Sequence, residues 1–292
     1  MLLSRFEYHS PGDLAQALEL LEQHQGLAAV LAGGTDLLVN MKHKTARPRA
    51  LVGLEAVPGL DMVDDTAGGL LLGPMLTAST LNKSAMVRAK AGALALGAGA
   101  LGSPQVRNRA TVGGNLCNAR PAADMCVPLL ALGASALLSS RAGRREVPLP
   151  EFFLGPGRTV RQPQEILVAV KVPVAQGPSG SGYQKLGLRK ALEIALVNVA
   201  ACLTLETDGQ TIREARVALG AVAPTPILAP GAAMVLKGRK GSPELWAQAG
   251  AAAAVDARPI DDHRGSADFR RQMVAVLTSR ALDQAWQAAR AV

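Results

Sequence analysis

Two short segments carry residue types that hold anions. LAGGTD, residues 31–36, and TVGGN, residues 111–115, each place a glycine pair beside small polar side chains. Glycine lacks a Cβ and tolerates positive φ, so successive backbone N–H groups can converge on one anionic group. The first segment also opens an expected helix, whose N-terminal end favours negative charge. A single glycine pair is an ordinary turn signal. Two of them, one after a buried strand and one in a polar stretch, suit a diphosphate, which offers two anionic groups to two clasps. A third run, Gly97, Gly99 and Gly102, spells GxGxxG with Asp124 downstream. A dinucleotide fingerprint needs a strand before it and a helix opening from it. Here a helix precedes and Pro104 follows, so the run reads as a helix terminus, and a nicotinamide dehydrogenase built on it is disfavoured.

Other chemistry-bearing residues are scattered. Asp124 can accept hydroxyl hydrogen bonds, or cap a helix before MCVPLL. Lys185 can place a positive charge near a ligand, or stay solvated. Arg107 and Arg109 suit a diphosphate or a partner equally, and Tyr183 suits a ligand edge or a core position. His9, His24, His43 and His263 have no ligand-like spacing, and no general base stands out, so neither a metal site nor a catalytic residue is expected. Cys117, Cys126 and Cys202 are too few and too widely spaced for a disulfide framework or a cluster.

The elements that must position these residues can be outlined. Ser10–Leu21 reads as a helix capped by Ser10 with Pro11 in its first turn, and Leu14, Leu18 and Leu21 on one face. LAAVLAGG is a buried strand ending at Gly34, followed by a helix with Leu37, Leu38 and Met41. Strands are expected at 50–55 and 68–75, and an alanine-rich helix at 81–96 that the glycines from Gly97 terminate. Residues 105–124 read as a shaped polar loop outside the core. Residues 127–138 return to buried helix or strand, 148–157 to loop, and 165–173 to strand. AQGPSGSG, residues 175–182, has the composition of a linker. Beyond it, strands at 195–206 and 212–222 are joined by a TDGQ hairpin signal. Helices at 243–255 and 266–290 complete the chain. The expected organisation is two units, 1–174 (itself split near 55–60) and 175–292.

The 292 residues include 49% hydrophobic and 18% charged residues, enough for a packed core and incompatible with wholesale disorder. Aromatics are only 3%, which argues against a stacking platform for single-stranded nucleic acid. The net charge of +8 comes from dispersed basic residues with no tail-like run, so no nucleic-acid partner is expected. MLLSRFEYHS is not a signal peptide, and the apolar run 127–138 is too short to span a bilayer. A cytoplasmic protein without a transmembrane segment is the expectation.

LAGGTDLL, SPQVRNRATVGGNLCNARPAAD and the tail DDHRGSADFRR (residues 261–271) together resemble the FAD-binding medium subunit of the molybdenum hydroxylases, the family of xanthine dehydrogenase and aerobic-type carbon monoxide dehydrogenase. The resemblance spans essentially the whole chain in order. It implies an α+β architecture: a two-subdomain FAD-binding fold of the vanillyl-alcohol-oxidase (PCMH) type, then a smaller domain with an antiparallel sheet and helices. It further implies that Leu31, Ala32, Gly33, Gly34, Thr35, Asp36 and Leu37 wrap the FAD diphosphate from one side. Thr111, Val112, Gly113, Gly114 and Asn115 would wrap it from the other. Asp124 matches a residue binding the adenosine part, Leu101 a position beside the flavin, and Leu167 and Lys185 two further FAD contacts. The chain lacks the cysteine-rich insertion of relatives that reduce aromatic thioesters, and lacks a covalent flavin anchor, so FAD is expected to be non-covalent.

The resemblance makes the chain an electron-transfer oxidoreductase subunit. A large partner would carry the molybdenum cofactor, a small partner the 2Fe-2S clusters, and the whole would be a dimer of heterotrimers. Electrons would pass through FAD to a small-molecule acceptor such as NAD+ or a quinone, the protein supplying binding and orientation while the cofactor does the redox chemistry. The competing readings are a self-contained flavin oxidase or reductase on the same fold, and a flavin-free scaffold subunit.

Overall fold

The computed structural model describes residues 3–189 and 191–291. Among the described residues are four sheets, one of them only the two-stranded Phe153–Gly155 and Arg158–Thr159 pair. Glu7–His9, Ala50–Gly53 and Ala28–Leu31 form a three-stranded parallel sheet with Ala50–Gly53 in the centre. A five-stranded antiparallel sheet follows, ordered Val63–Thr66, Gly69–Leu72, Ile166–Pro173, Ser135–Ser140, Gly143–Pro148. The third sheet is antiparallel and four-stranded, with Ser179–Leu186, Val197–Leu205, Ile212–Gly220 and Ile227–Leu228 in sequence order. Helices Pro230–Leu236, Pro243–Asp256 and Ala267–Arg290 accompany this last sheet, so the α+β expectation holds.

Local chemistry explains where elements begin. The first helix runs Leu14–Gln23, and its cap is Asp13 rather than Ser10. Asp13 Oδ1 accepts the Gln16 N–H at 2.8 Å while Gln16 Oε1 accepts the Gly12 N–H at 3.0 Å, a reciprocal arrangement close to a capping box. The expected single helix 81–96 is three: Ala78–Lys83, Ala85–Lys90 and Gly92–Ala100. Ser84 ends the first and caps the second, accepting the Val87 N–H at 3.3 Å. The third helix runs through Gly97 and Gly99 instead of stopping there. A Cβ on Gly97 would meet the Asp124 carbonyl at 2.4 Å, and one on Gly99 would meet Asn82 Oδ1 at 2.8 Å. These glycines admit close packing of a buried helix, while Gly102, at φ +48°, lies beyond the helix, accepts the Leu192 N–H at 3.1 Å and borders a cavity.

Two loop expectations are corrected. Residues 105–124 contain the helices Pro104–Arg107 and Val112–Asn118, and Val112 and Leu116 are fully buried. Within 148–157 lie the short helix Leu149–Phe152 and the strand Phe153–Gly155, with Phe152 in the core. The linker reading of 175–182 fails from Ser179 onward, where the edge strand begins. A Cβ on Gly180 would lie 2.2 Å from the Ala285 carbonyl, and one on Gly182 2.3 Å from that of Ala281. The glycines that imitate a linker are the groove into which the long C-terminal helix sinks. The TDGQ turn is as expected: Asp208 accepts the N–H groups of Gln210 and Thr211, both at 2.8 Å, and Gly209 takes φ +66°.

Candidate dinucleotide site

The strand Ala28–Leu31 runs into the first glycine segment, and the helix Leu37–Lys42 leaves it. None of the N–H groups from Ala32 to Leu37 donates to an acceptor among the described residues. A helix start leaves its first N–H groups without an intrahelical partner, and here the run extends back through the glycine pair on half-buried residues, Asp36 alone being exposed, an arrangement that can take up an anion. Gly34 has φ +73°, the left-handed conformation that aligns neighbouring N–H groups and suits glycine. Asp36 occupies the N-cap position but its carboxylate makes no cap hydrogen bond.

The second segment is built differently. Thr111 caps the helix Val112–Asn118, its hydroxyl accepting the Gly114 N–H at 3.1 Å. Val112 donates to Leu76 O and Gly113 to Pro74 O, both at 2.9 Å, and Asn115 donates to Thr111 O at 2.9 Å. With the N–H groups of Val112 to Asn115 occupied, this segment is a rigid wall. The sequence suggests two equivalent clasps, whereas the structure has one open cradle and one braced backstop. The residues that lead into the second segment touch the first: a Cβ on Gly33 would lie 1.8 Å from the Arg109 carbonyl oxygen and 3.2 Å from Ala110 Cα. Glycine at 33 is therefore required by contact with the Arg109–Ala110 backbone at the entry to the second segment. Gly113 is likewise pressed on Pro74, while a Cβ on Gly114 would meet only Thr111 Oγ1, at 3.0 Å.

Both segments border one cavity of about 1150 Å³. That exceeds the usual volume of small-molecule pockets, about 300–1,000 Å³, as an extended dinucleotide demands. Of the expected residues, Ala32, Gly33, Gly34, Thr35, Asp36 and Leu37 line it on one side, and Thr111, Gly113, Gly114 and Asn115 on the other. Leu101, Asp124 and Leu167 line it as well. Leu31, Val112 and Lys185 are not on its wall: Val112 is fully buried, and Leu31 ends the strand that delivers the cradle.

Asp124 sits at the centre of a buried polar network. Its Oδ1 accepts the Tyr183 hydroxyl proton at 2.7 Å, and its Oδ2 pairs with Lys185 Nζ at 2.8 Å. Lys185 also donates to the Ala100 carbonyl at 3.1 Å, and Asn198 donates to the Tyr183 oxygen at 3.1 Å. Burial raises the Asp124 carboxyl above the ordinary aspartate range, and the Lys185 charge and hydrogen bond oppose that rise. Burial, reinforced by the Asp124 charge, also lifts the Tyr183 hydroxyl well above its usual value, which keeps it a neutral donor. Tyr183 is thus a core residue, and Lys185 reaches the site through Asp124. Arg107 holds the Leu101 carbonyl at 2.9 Å and so shapes the wall.

A third wall was not legible as a site. Leu192–Ala195, Ala221, Ala223, Pro224, Arg258, Arg264 and Arg270 also border the cavity. Arg270 comes from the long C-terminal helix and is buried. It donates to Asp262 Oδ1 at 2.6 Å, Ala221 O at 3.1 Å and Leu196 O at 3.4 Å. The Arg264 N–H and the Arg270 guanidinium hold the Asp262 carboxyl down at about 2, against desolvation. These residues belong to the tail signature, the one signal that marked them, but no spacing in it forecasts a cavity wall.

Comparison with known proteins agrees with this geometry. Residues 4–175 match the family model described as the FAD binding domain in molybdopterin dehydrogenase. Residues 182–285 match that of the CO dehydrogenase flavoprotein C-terminal domain. The chain is 34% identical over 286 residues to the carbon monoxide dehydrogenase medium chain of Hydrogenophaga pseudoflava, covering 98% of this chain and 99% of that one. It is 32% identical to the nicotine 6-hydroxylase medium subunit of Paenarthrobacter nicotinovorans, covering 98% and 99%. Among solved structures, carbon monoxide dehydrogenase from Hydrogenophaga pseudoflava superposes with a TM-score of 0.93 at 34% identity, covering 99% of each chain. Quinoline 2-oxidoreductase from Pseudomonas putida 86 does so with a TM-score of 0.92 at 30% identity, covering 99% of this chain and all of that one. An open N–H cradle, a braced second segment and a two-part match along nearly the whole chain place this protein in the FAD-binding medium-subunit family of the molybdopterin dehydrogenases.

Proposed function

We propose that the chain holds FAD non-covalently between the 32–37 cradle and the 111–115 wall, and relays electrons from 2Fe-2S clusters of a small partner subunit to an external acceptor such as NAD+ or a quinone. A large partner subunit carries the molybdenum cofactor and the substrate chemistry. The relatives are medium chains by name, which supports a multi-subunit assembly; a dimer of heterotrimers in the cytoplasm is part of this reading. Among the described residues no helix is long and apolar enough to cross a membrane.

The observation that carries the reading is the run of unpartnered N–H groups from Ala32 to Leu37 on a cavity of dinucleotide size. FAD supplies the redox chemistry when bound. The chain's own residues do the rest. The N–H groups of the cradle take up the diphosphate, and Gly114 leaves room beside it. Leu101 and Leu167 offer apolar wall and exclude water. Asp124, fixed by Tyr183 and Lys185, offers its remaining lone pairs to a hydroxyl. Leu31 and Val112 act one step back, as the strand end and the buried helix start that aim the two segments. We further assign FAD binding mainly to residues 1–174, split near 55–60, with residues 175–292 closing the cavity.

The test is purification of the complex from its native source, followed by resolution of the subunits. A yellow chain travelling with a molybdenum subunit and an iron–sulfur subunit, and regaining stoichiometric FAD after stripping, supports the proposal. A colourless chain that purifies alone and takes up no FAD overturns it in favour of a scaffold role.

A further inference from the structure

We propose that Glu7, His9 and His24 form a site for a divalent transition-metal ion of the zinc(II), copper(II) or nickel(II) kind, separate from the dinucleotide cavity. A carboxylate oxygen of Glu7 and one imidazole nitrogen from each histidine all lie within 4.8 Å of one another. None of the three residues lines the cavity.

The geometry within the trio is informative. His9 Nε2 lies 3.3 Å from Glu7 Oε2, yet this buried nitrogen has no hydrogen-bond partner. A contact of that length without hydrogen-bond geometry is what two ligands of one metal make. Donors bound tetrahedrally to zinc at about 2.0–2.2 Å stand roughly 3.3–3.5 Å apart. The two imidazoles are tilted by 48° with centroids 5.4 Å apart, so they are not stacked on each other.

The donors sit on fixed backbone. His9 ends the edge strand Glu7–His9 of the parallel sheet, and its residue pairs with Val52 of the central strand. His24 is the C-cap of the helix Leu14–Gln23, with its N–H bonded to Leu20 O and Glu22 O. The ion would join an edge strand to a helix end, two elements that the sequence separates. Glu7 is exposed, which gives the ion an entry path and leaves a position for water as fourth ligand. On the same helix, Glu22 is paired with Arg141 at 2.6 Å and does not compete for the ion. Two imidazoles and one carboxylate select zinc(II), copper(II) or nickel(II) over magnesium and calcium, which prefer all-oxygen shells.

The experiment uses the full chain stripped with a chelator, then titrated with cobalt(II) and with zinc(II) chloride. The expected result is saturable one-to-one binding, visible cobalt d–d bands displaced by zinc, and a rise in Tm with zinc at unchanged FAD content. His24→Ala should abolish the bands and the Tm rise. Glu7→Gln, a milder change, should weaken binding at least tenfold while leaving the unmetallated Tm near that of the parent. An absence of bands in the parent chain, or bands in both variants equal to the parent's, overturns the proposal. Magnesium chloride producing the same Tm rise as zinc overturns it as well.

Discussion

Replacing Gly33 with alanine tests whether the two glycine segments work as one device. The added Cβ would stand 1.8 Å from the Arg109 carbonyl oxygen and 2.7 Å from its carbon, both rigid backbone atoms. Real Cβ contacts essentially never fall below 3.0 Å, so the segments must part by about 1.2 Å. Overpacking of this kind costs about 1–3 kcal/mol in stability. The effect on ligand binding is larger. A 1.2 Å displacement takes an N–H···O contact of about 2.9 Å beyond hydrogen-bond range. Losing two charge-assisted bonds at about 1.5–3 kcal/mol each removes about 3–6 kcal/mol, or roughly 10²–10⁴-fold in Kd. The assay is titration of the stripped chain with FAD, followed by quenching of flavin fluorescence, beside thermal unfolding of the unliganded protein. Gly68→Ala is the control, because its Cβ meets only the Thr66 hydroxyl at 3.9 Å and the residue does not line the cavity, so FAD binding should be unchanged. If Gly33→Ala binds FAD within threefold of the parent, the contact between the segments does not matter to the ligand and the reasoning is refuted.

Three other perturbations follow from the same structure. Gly114→Asp should leave a folded chain, since nothing but the Thr111 hydroxyl is in its way, yet yield colourless protein by setting a carboxylate beside the diphosphate; a yellow variant of normal flavin content contradicts the site. Asp262 titrates at about 2 when folded against 3.8 in the free residue, so its contribution to stability is fully present above about pH 4 and is lost as pH falls toward 2. In urea unfolding across that window, Asp262→Asn should flatten this loss, and near neutrality it should cost about 2 kcal/mol, the free energy that the lowered carboxyl represents; an unchanged pH profile argues against it. Gly182→Ala should push the Ala267–Arg290 helix off the sheet, costing about 1–3 kcal/mol and lowering Tm by several degrees; calorimetry showing no change would mean that the 2.3 Å approach to the Ala281 carbonyl is readily relieved.

What could be read from the chain, and what could not, divides along one physical line. Local chemistry was legible. The TDGQ turn, the long last helix and the strands at 28–31, 166–173, 197–205 and 212–220 follow from periodicity and turn residues that act over a few positions. The glycine segments stood out because residue type alone licenses an N–H cradle. What failed were judgements about why a glycine is present. Gly97 and Gly99 read as helix stops, and Gly180 and Gly182 as a linker, because the sequence shows a missing side chain but not the neighbour that requires its absence. The same blindness made the two clasps look equivalent: whether an N–H group is free depends on Pro74 and Leu76, which lie far from TVGGN in the chain.

The sequence by itself determined the C-terminal hairpin and long helix and, through motifs whose spacing survives in the linear chain, the kinship and the α+β class that the kinship implies. Only the tertiary structure decided which N–H groups stay open, that Asp124 is held by Tyr183 and Lys185, that Arg270 closes the cavity, and that His9 meets His24. The reason is that donors, acceptors and excluded volumes are satisfied between elements distant in sequence, and such pairings leave no periodic trace along it.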